Sequence, residues 1–143
     1  MPSEPTPLIL GFADETTLEL VLRAYLLPDL DCQIYFNRRP QDSAFPCIVI
    51  EKLAEERSQY LVGNMEVADY RFQFSVIAET YETMLEVCNR LKDLLQGFYG
   101  EWEDRQIFYC NLDSESDAPS DMSDGSDNYT YVREVQYLIK ASD

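Results

Sequence analysis

The chain has 143 residues, 45% of them hydrophobic and 13% aromatic, enough to bury one core of ordinary size, so a single domain is expected. Its 27 acidic residues stand against 11 basic ones, and a formal charge of −16 repels nucleic-acid phosphate, which argues against direct DNA or RNA binding. Histidine is absent, which removes the commonest general base and the commonest metal ligand together; no enzyme activity and no cofactor is expected.

In chain order, Met1 to Ala13 carries Pro2, Pro5 and Pro7 and reads as an extended arm, with residues 14–143 forming the domain. The apolar end of the arm, "LILGF", needs cover, either on its own domain or on a neighbouring subunit. The segment lacks a basic n-region and its apolar run is too short for a signal peptide or membrane span, so a reducing cytoplasm is the expected setting. Asp14 is placed to cap a first helix, Glu15 to Leu27, with Leu18, Val21, Leu22 and Tyr25 on its apolar face and Pro28 ending it. A short strand, Cys32 to Phe36, leads into "NRRPQDSAFP", whose prolines bias the chain to extended geometry and suggest a stiff ledge before the strand "CIVIEKL".

The polar stretch "AEERSQYLVGNME", with Gly63-Asn64 as a turn signal, predicts a projecting hairpin tip. In the next strand Ala68, Tyr70, Phe72, Phe74, Val76 and Ala78 alternate with Asp69, Arg71, Gln73 and Ser75, the pattern of a sheet with one buried face. Thr80 opens a second helix in which Met84, Val87, Cys88, Leu91, Leu94, Leu95 and Phe98 recur at helical spacing. Two further strands, "RQIFYCNL" and "NYTYVREVQYLIKA", flank Asp113 to Asp127, which holds six acidic residues and no positive charge and reads as a solvated loop. The fold class is therefore α+β: one domain with an antiparallel four- to five-stranded sheet and two helices on one face, in the order α-β-β-β-α-β-β.

Chemistry-bearing patterns are few. The spacing in "DMSDGSD" does not match a calcium loop, so no metal site is expected. The pairs Glu55/Glu56 and Asp29/Asp31 have no apolar pocket to shift their titration and read as solvated charges in loops. Cys32, Cys47, Cys88 and Cys110 are widely spaced and mostly set among apolar neighbours, as reduced core thiols are.

Taken with this succession of elements, "IYFNRRPQDSAFPCIVIEKL", "ADYRFQFSVIAET", "YETMLEVCNRLKDLL" and "YVREVQYLIKA" resemble the tail-terminator and tail-completion proteins of long-tailed bacteriophages, over about Glu15 to Ala141. The resemblance implies a structural virion protein at the head-tail junction, assembled in the host cytoplasm. It would form a homo-oligomeric ring, a hexamer, that caps the tail tube, ends tail polymerisation and joins the tail to the head or neck. The implied partners are the tail tube protein and a head-completion or neck protein. DNA would pass through without specific binding, and no membrane is involved. Within that reading Arg57, Tyr60, Leu61 and Val62 are candidates for the contact with the tail tube or a neighbouring subunit. Asp113, Glu115, Asp117, Asp121, Asp124 and Asp127 are candidates for an acidic loop at the pore or head side. The acidic loop is longer than the family would lead one to expect. The alternatives from other classes are an acidic DNA-mimic inhibitor and a generic cytoplasmic adaptor domain.

Overall fold

Strand alternation at the centre of the chain organises the molecule. A computed structural model describes residues 17–40, 43–57, 66–118 and 130–142. In chain order it contains α1 (Leu18–Leu30), β1 (Gln33–Phe36), β2 (Cys47–Arg57), β3 (Val67–Ala78), α2 (Tyr81–Leu95), β4 (Gly100–Trp102), β5 (Arg105–Ala118) and β6 (Tyr131–Ser142). These six strands form one sheet in the order β1-β2-β3-β6-β5-β4. β3 sits inside it, and the expected alternation holds: Ala68, Tyr70, Phe72, Phe74, Val76 and Ala78 are all buried.

Both helices lie on that face. Leu18, Val21, Leu22, Leu26 and Leu30 of α1 and Met84, Val87, Cys88, Leu91 and Leu95 of α2 share one core with the inward side chains of β2, β3, β5 and β6. Thr80 caps α2 as expected, its hydroxyl accepting from the Thr83 amide at 3.1 Å. The first helix differs from its expected limits. It starts at Leu18 behind Thr17 and runs through Pro28 to Leu30, while Asp14 lies outside the described residues. Pro28 falls in the last turn, so continuation forfeits one backbone hydrogen bond, and burial of Leu30 offsets that loss. Asp31, in the left-handed region at φ 55°, closes the helix.

The sheet has six strands and is mixed, which corrects the expectation of four or five antiparallel ones. β1 and β2 are parallel, Ile34 beside Ile48 and Phe36 beside Ile50, whereas the remaining pairs are antiparallel. The connection between them is long enough to permit this: ten residues can extend about 33 Å, more than twice the length of the four-residue β1. Its Phe45 lies on the side of the sheet away from the helices. There Tyr35, Phe45 and Val132 pack on Cys47, Val49 and Ile77 in a second, smaller core. The ledge is braced by a Ser43 amide bond to the Pro40 carbonyl (3.1 Å), by Arg39 donating to the Ser43 hydroxyl (3.3 Å), and by the Arg39 guanidinium over the Phe45 ring (5.0 Å).

The unexpected strand is β4, three residues holding the chain's single tryptophan. Trp102 is buried and stacks near Tyr25 and Phe98, with ring centroids 5.1 and 5.4 Å away, and the Tyr25 hydroxyl donates to the Leu94 carbonyl at 2.8 Å. This aromatic cluster ties α1 to the end of α2 and to the sheet margin.

Candidate functional site

Among the described residues no group of acidic or cysteine side chains is placed to hold a metal ion, and the geometry of interest is what the sheet leaves open at its ends and edges. β2 and β3 stay paired out to Arg57 opposite Ala68. Glu55 to Arg57, expected in the hairpin tip, thus belong to the strand, and so do both members of the Glu55/Glu56 pair. Beyond Ile50 the side chains of β2 are largely exposed, including Leu53 at 44%. Arg57 pairs with Glu55 at 2.7 Å, and Glu55 also accepts from Lys52 at 2.6 Å. Tyr60, Leu61 and Val62 lie outside the described residues.

The acidic segment departs most from its sequence reading. Its first six residues, Asp113 to Ala118, are the end of β5, and Ser114 to Ala118 pair in register with β6. Like charges are tolerated there because cations from other elements reach them. Asp113, displaced by an irregularity between Leu112 and Ser114, meets Arg71 on the side away from the helices. Glu115 lies 3.6 Å from both Lys92 of α2 and Arg133 of β6. Asp117 accepts from Arg133 Nε at 2.7 Å, and this bond holds the carboxyl below the usual carboxylate range. Arg133 also donates to the Tyr81 hydroxyl at 3.1 Å, and the Tyr81 ring meets Tyr131 edge-on at 5.8 Å. Both tyrosines are 41% exposed. The cluster is an exposed aromatic pair set on a neutralised ion network, a composition enriched in protein contacts. Asp121, Asp124 and Asp127 lie outside the described residues.

The side of the sheet away from the helices is polar over β3, β6 and β5. Arg71, Gln136 and Gln73 form a hydrogen-bonded row, with 3.3 Å from Arg71 to Gln136 and 3.2 Å from Gln136 to Gln73. Tyr109 donates to Asp69 at 3.2 Å, with Lys140 3.8 Å from the same carboxylate. All four cysteines are free thiols, three of them buried, and burial pushes Cys88 up to about 11 and Cys110 up to about 12, so neither is a nucleophile at neutral pH. Among the described residues no helix is long and apolar enough to cross a membrane.

The fold has a counterpart among solved structures: a chain from the virion of a native gene transfer agent particle superimposes with a TM-score of 0.62 at 11% identity, covering 92% of this chain and 99% of that one. At that identity the match speaks for the fold alone. The family model for tail completion protein gp17 matches residues 21–132, well over half of the chain. The chain belongs to the tail completion protein gp17 family. Family membership makes it a structural component of a bacteriophage-type tail, assembled with other virion proteins. No curated protein sequence matches the chain. The family match runs from Val21, inside α1, to Val132, at the start of β6, and so takes in most of α1 and all of α2 and β1 to β5. Two elements of the surface escaped sequence reasoning: the Tyr81–Tyr131 pair and the strand character of Asp113 to Ala118. The signal for the second was Arg133, a cation interrupting an apolar strand face, which requires an acidic partner across the sheet.

Proposed function

We propose that the protein forms a closed ring, of six copies, that caps the tail tube, ends its polymerisation and presents the surface to which the head or neck attaches. The observation that carries this reading is membership of the tail completion family. A ring that closes needs contacts between unlike surfaces of identical subunits, and the fold supplies rigid, dissimilar ones: the ledge over Phe45, the exposed half of β2, and the Tyr81–Tyr131 pair. In this reading Arg57, with Tyr60, Leu61 and Val62 beyond it, meets the tail tube or the adjacent subunit. Asp121, Asp124 and Asp127 border the DNA path, where negative charge keeps passing phosphates from sticking. Asp113, Glu115 and Asp117 are given a different role, since Arg71, Lys92 and Arg133 neutralise them in place. The same pairing counts against a DNA mimic, which needs carboxylates available to a basic groove.

The test is imaging of the purified protein alone and mixed with tail tubes by negative stain. Closed rings that add a cap at one tube end support the proposal; monomers that leave tubes growing and uncapped contradict it.

A further inference from the structure

The sheet ends in two unlike strands, β1 on one side and β4 on the other, and α1 touches both. Arg23 of α1 sits over the Phe36 ring of β1, 4.8 Å from its centre. Tyr25, two residues on and therefore on the other flank of the helix, stacks on Trp102 of β4 at 5.1 Å. The two flanks are thus at one height along α1 and face opposite ways.

Their charges are also opposite. In a chain of formal charge −16, Lys52, Arg57, Arg71, Lys92, Arg133 and Lys140 are all held by carboxylates. Among the described residues Arg23, Arg38 and Arg90 make no ion pair, and all three gather at β1. Arg23 covers its last ring, and exposed Arg38 follows its end by two residues. Arg90 is near its start, where burial and the charges of Cys47 and Asp31 push the Cys32 thiol up and the guanidinium opposes them. At β4 the groups without an ion pair among the described residues are acidic: Glu101, Glu103 and Asp104, all exposed.

The acidic flank holds a cleft of about 200 Å³, in which Glu101 and Glu103 stand beside Val21, Ala24, Tyr25 and Trp102. Glu103 adopts the left-handed region, φ 58°, in the two-residue turn between β4 and β5, where Gly or Asn would sit with less strain. Trp102 is only 3% exposed, and its Nε1 donor is buried without an acceptor, a state that native structures seldom leave unmatched. Aromatic rings flanked by carboxylates fit one chemistry best. A guanidinium stacks on rings through its plane and donates to carboxylates through its edge.

We propose that the occupant is Arg38 of a second copy of this chain, so that the β1 flank of each subunit docks on the β4 flank of the next. This deepens the ring reading and rests on it. Unlike surfaces that face opposite ways at one height let identical copies repeat by rotation and close. Arg38 is the arginine placed for the cleft, because Arg23 is engaged with Phe36 and Arg90 has Asp31 in its surroundings. A cation from a different virion protein would fill the cleft but leave the basic flank of β1 with no acidic surface to meet.

The experiment measures mass in solution and negative-stain images for the full chain, for Arg38→Glu, for Glu103→Arg, and for the two variants mixed in equal amounts. The unaltered protein should form rings. Either variant alone sets like charges together at every contact and should remain monomeric with unchanged circular dichroism, its self-association weakened at least about tenfold. The mixture should recover rings, because alternating copies of the two kinds restore opposite charges at each contact. Rings from either variant alone overturn the contact while leaving the ring standing; if those rings no longer cap tubes, the cleft takes a cation of another protein. A mixture that stays monomeric overturns the pairing of Arg38 with Glu103. Monomers from the unaltered protein overturn the ring reading, and this contact with it.

Discussion

Arg133 of β6 stands directly across the sheet from Asp117 of β5, its Nε donating to the carboxylate over 2.7 Å. The same guanidinium reaches Glu115 and the Tyr81 hydroxyl, so one cation holds the end of an acidic strand against both β6 and α2. Remove it and Glu115 and Asp117 face each other with only Lys92 nearby. Arg133→Ala is expected to cost about 1 kcal/mol, read as a lower urea midpoint at unchanged slope.

The pH dependence of this contact has a definite sign. The folded Asp117 carboxyl titrates below its ordinary value because Arg133 hydrogen-bonds its charged form. Its contribution is therefore complete above the unfolded carboxylate value, about 3.9, and is lost as pH falls through the folded value. Asp117→Asn should lower the melting temperature slightly at pH 7, and the gap to the unaltered protein should close below about pH 4. A gap that widens with acid would contradict the pairing.

Phe72 is fully buried in the middle of β3 and lies 5.9 Å, ring to ring, from Tyr70. Truncation leaves a cavity between the sheet and the helices. Phe72→Ala should cost about 3–5 kcal/mol, measured by denaturant unfolding; a loss under about 1 kcal/mol would mean that the core closes around the missing ring.

Thiol reactivity should follow burial. Cys32, half-buried, is pushed up to about 11 by burial first and then by Cys47 and Asp31, which leaves about one thiolate in a thousand at pH 8. A disulfide reagent should therefore titrate Cys32 slowly in the folded protein and Cys47, Cys88 and Cys110 only on unfolding. Rapid reaction of two or more thiols under native conditions would contradict the buried placement.

Much of this fold was legible before any coordinates. β3 and α2 combine strict periodicity with strong local signals, period two from Ala68 to Ala78 and a Thr80 cap ahead of an apolar helical stripe; β3 stands where expected, and α2 starts where expected but ends at Leu95, short of Phe98. What failed depended on partners far away in the chain. Asp113 to Ala118 has poor strand propensity on its own; Arg71, Lys92 and Arg133, from three other elements, supply the charges that let it pair. α1 outlasts Pro28 because Leu30 is buried in the shared core, a tertiary gain that no local rule contains. β4 is too short to have a period, and its place follows from where Trp102 packs. The candidate contact residues divide between described strands and segments outside the described residues. Arg57, a candidate contact in the expected hairpin tip, instead ends β2 with 47% of its side chain exposed, and the acidic candidates split into a paired strand and the residues beyond Ala118.

That split sharpens the division of labour between the two variable segments. Tyr60→Ala with Leu61→Ala should leave folding intact and impair attachment to the tail tube. Replacing Asp121, Asp124 and Asp127 by Asn should leave attachment unchanged. In reconstituted tails, normal capping by the first variant or failed capping by the second would overturn this assignment.

Whether copies of this chain close a ring over the tube end and stop its growth is decided by measuring tail-tube length in assemblies with and without the protein. Tubes of uniform length, each ending in a ring of density, are expected when it is present, and overlong tubes with bare ends when it is omitted. Length distributions that coincide in the two conditions, with no added density at either end, would contradict it.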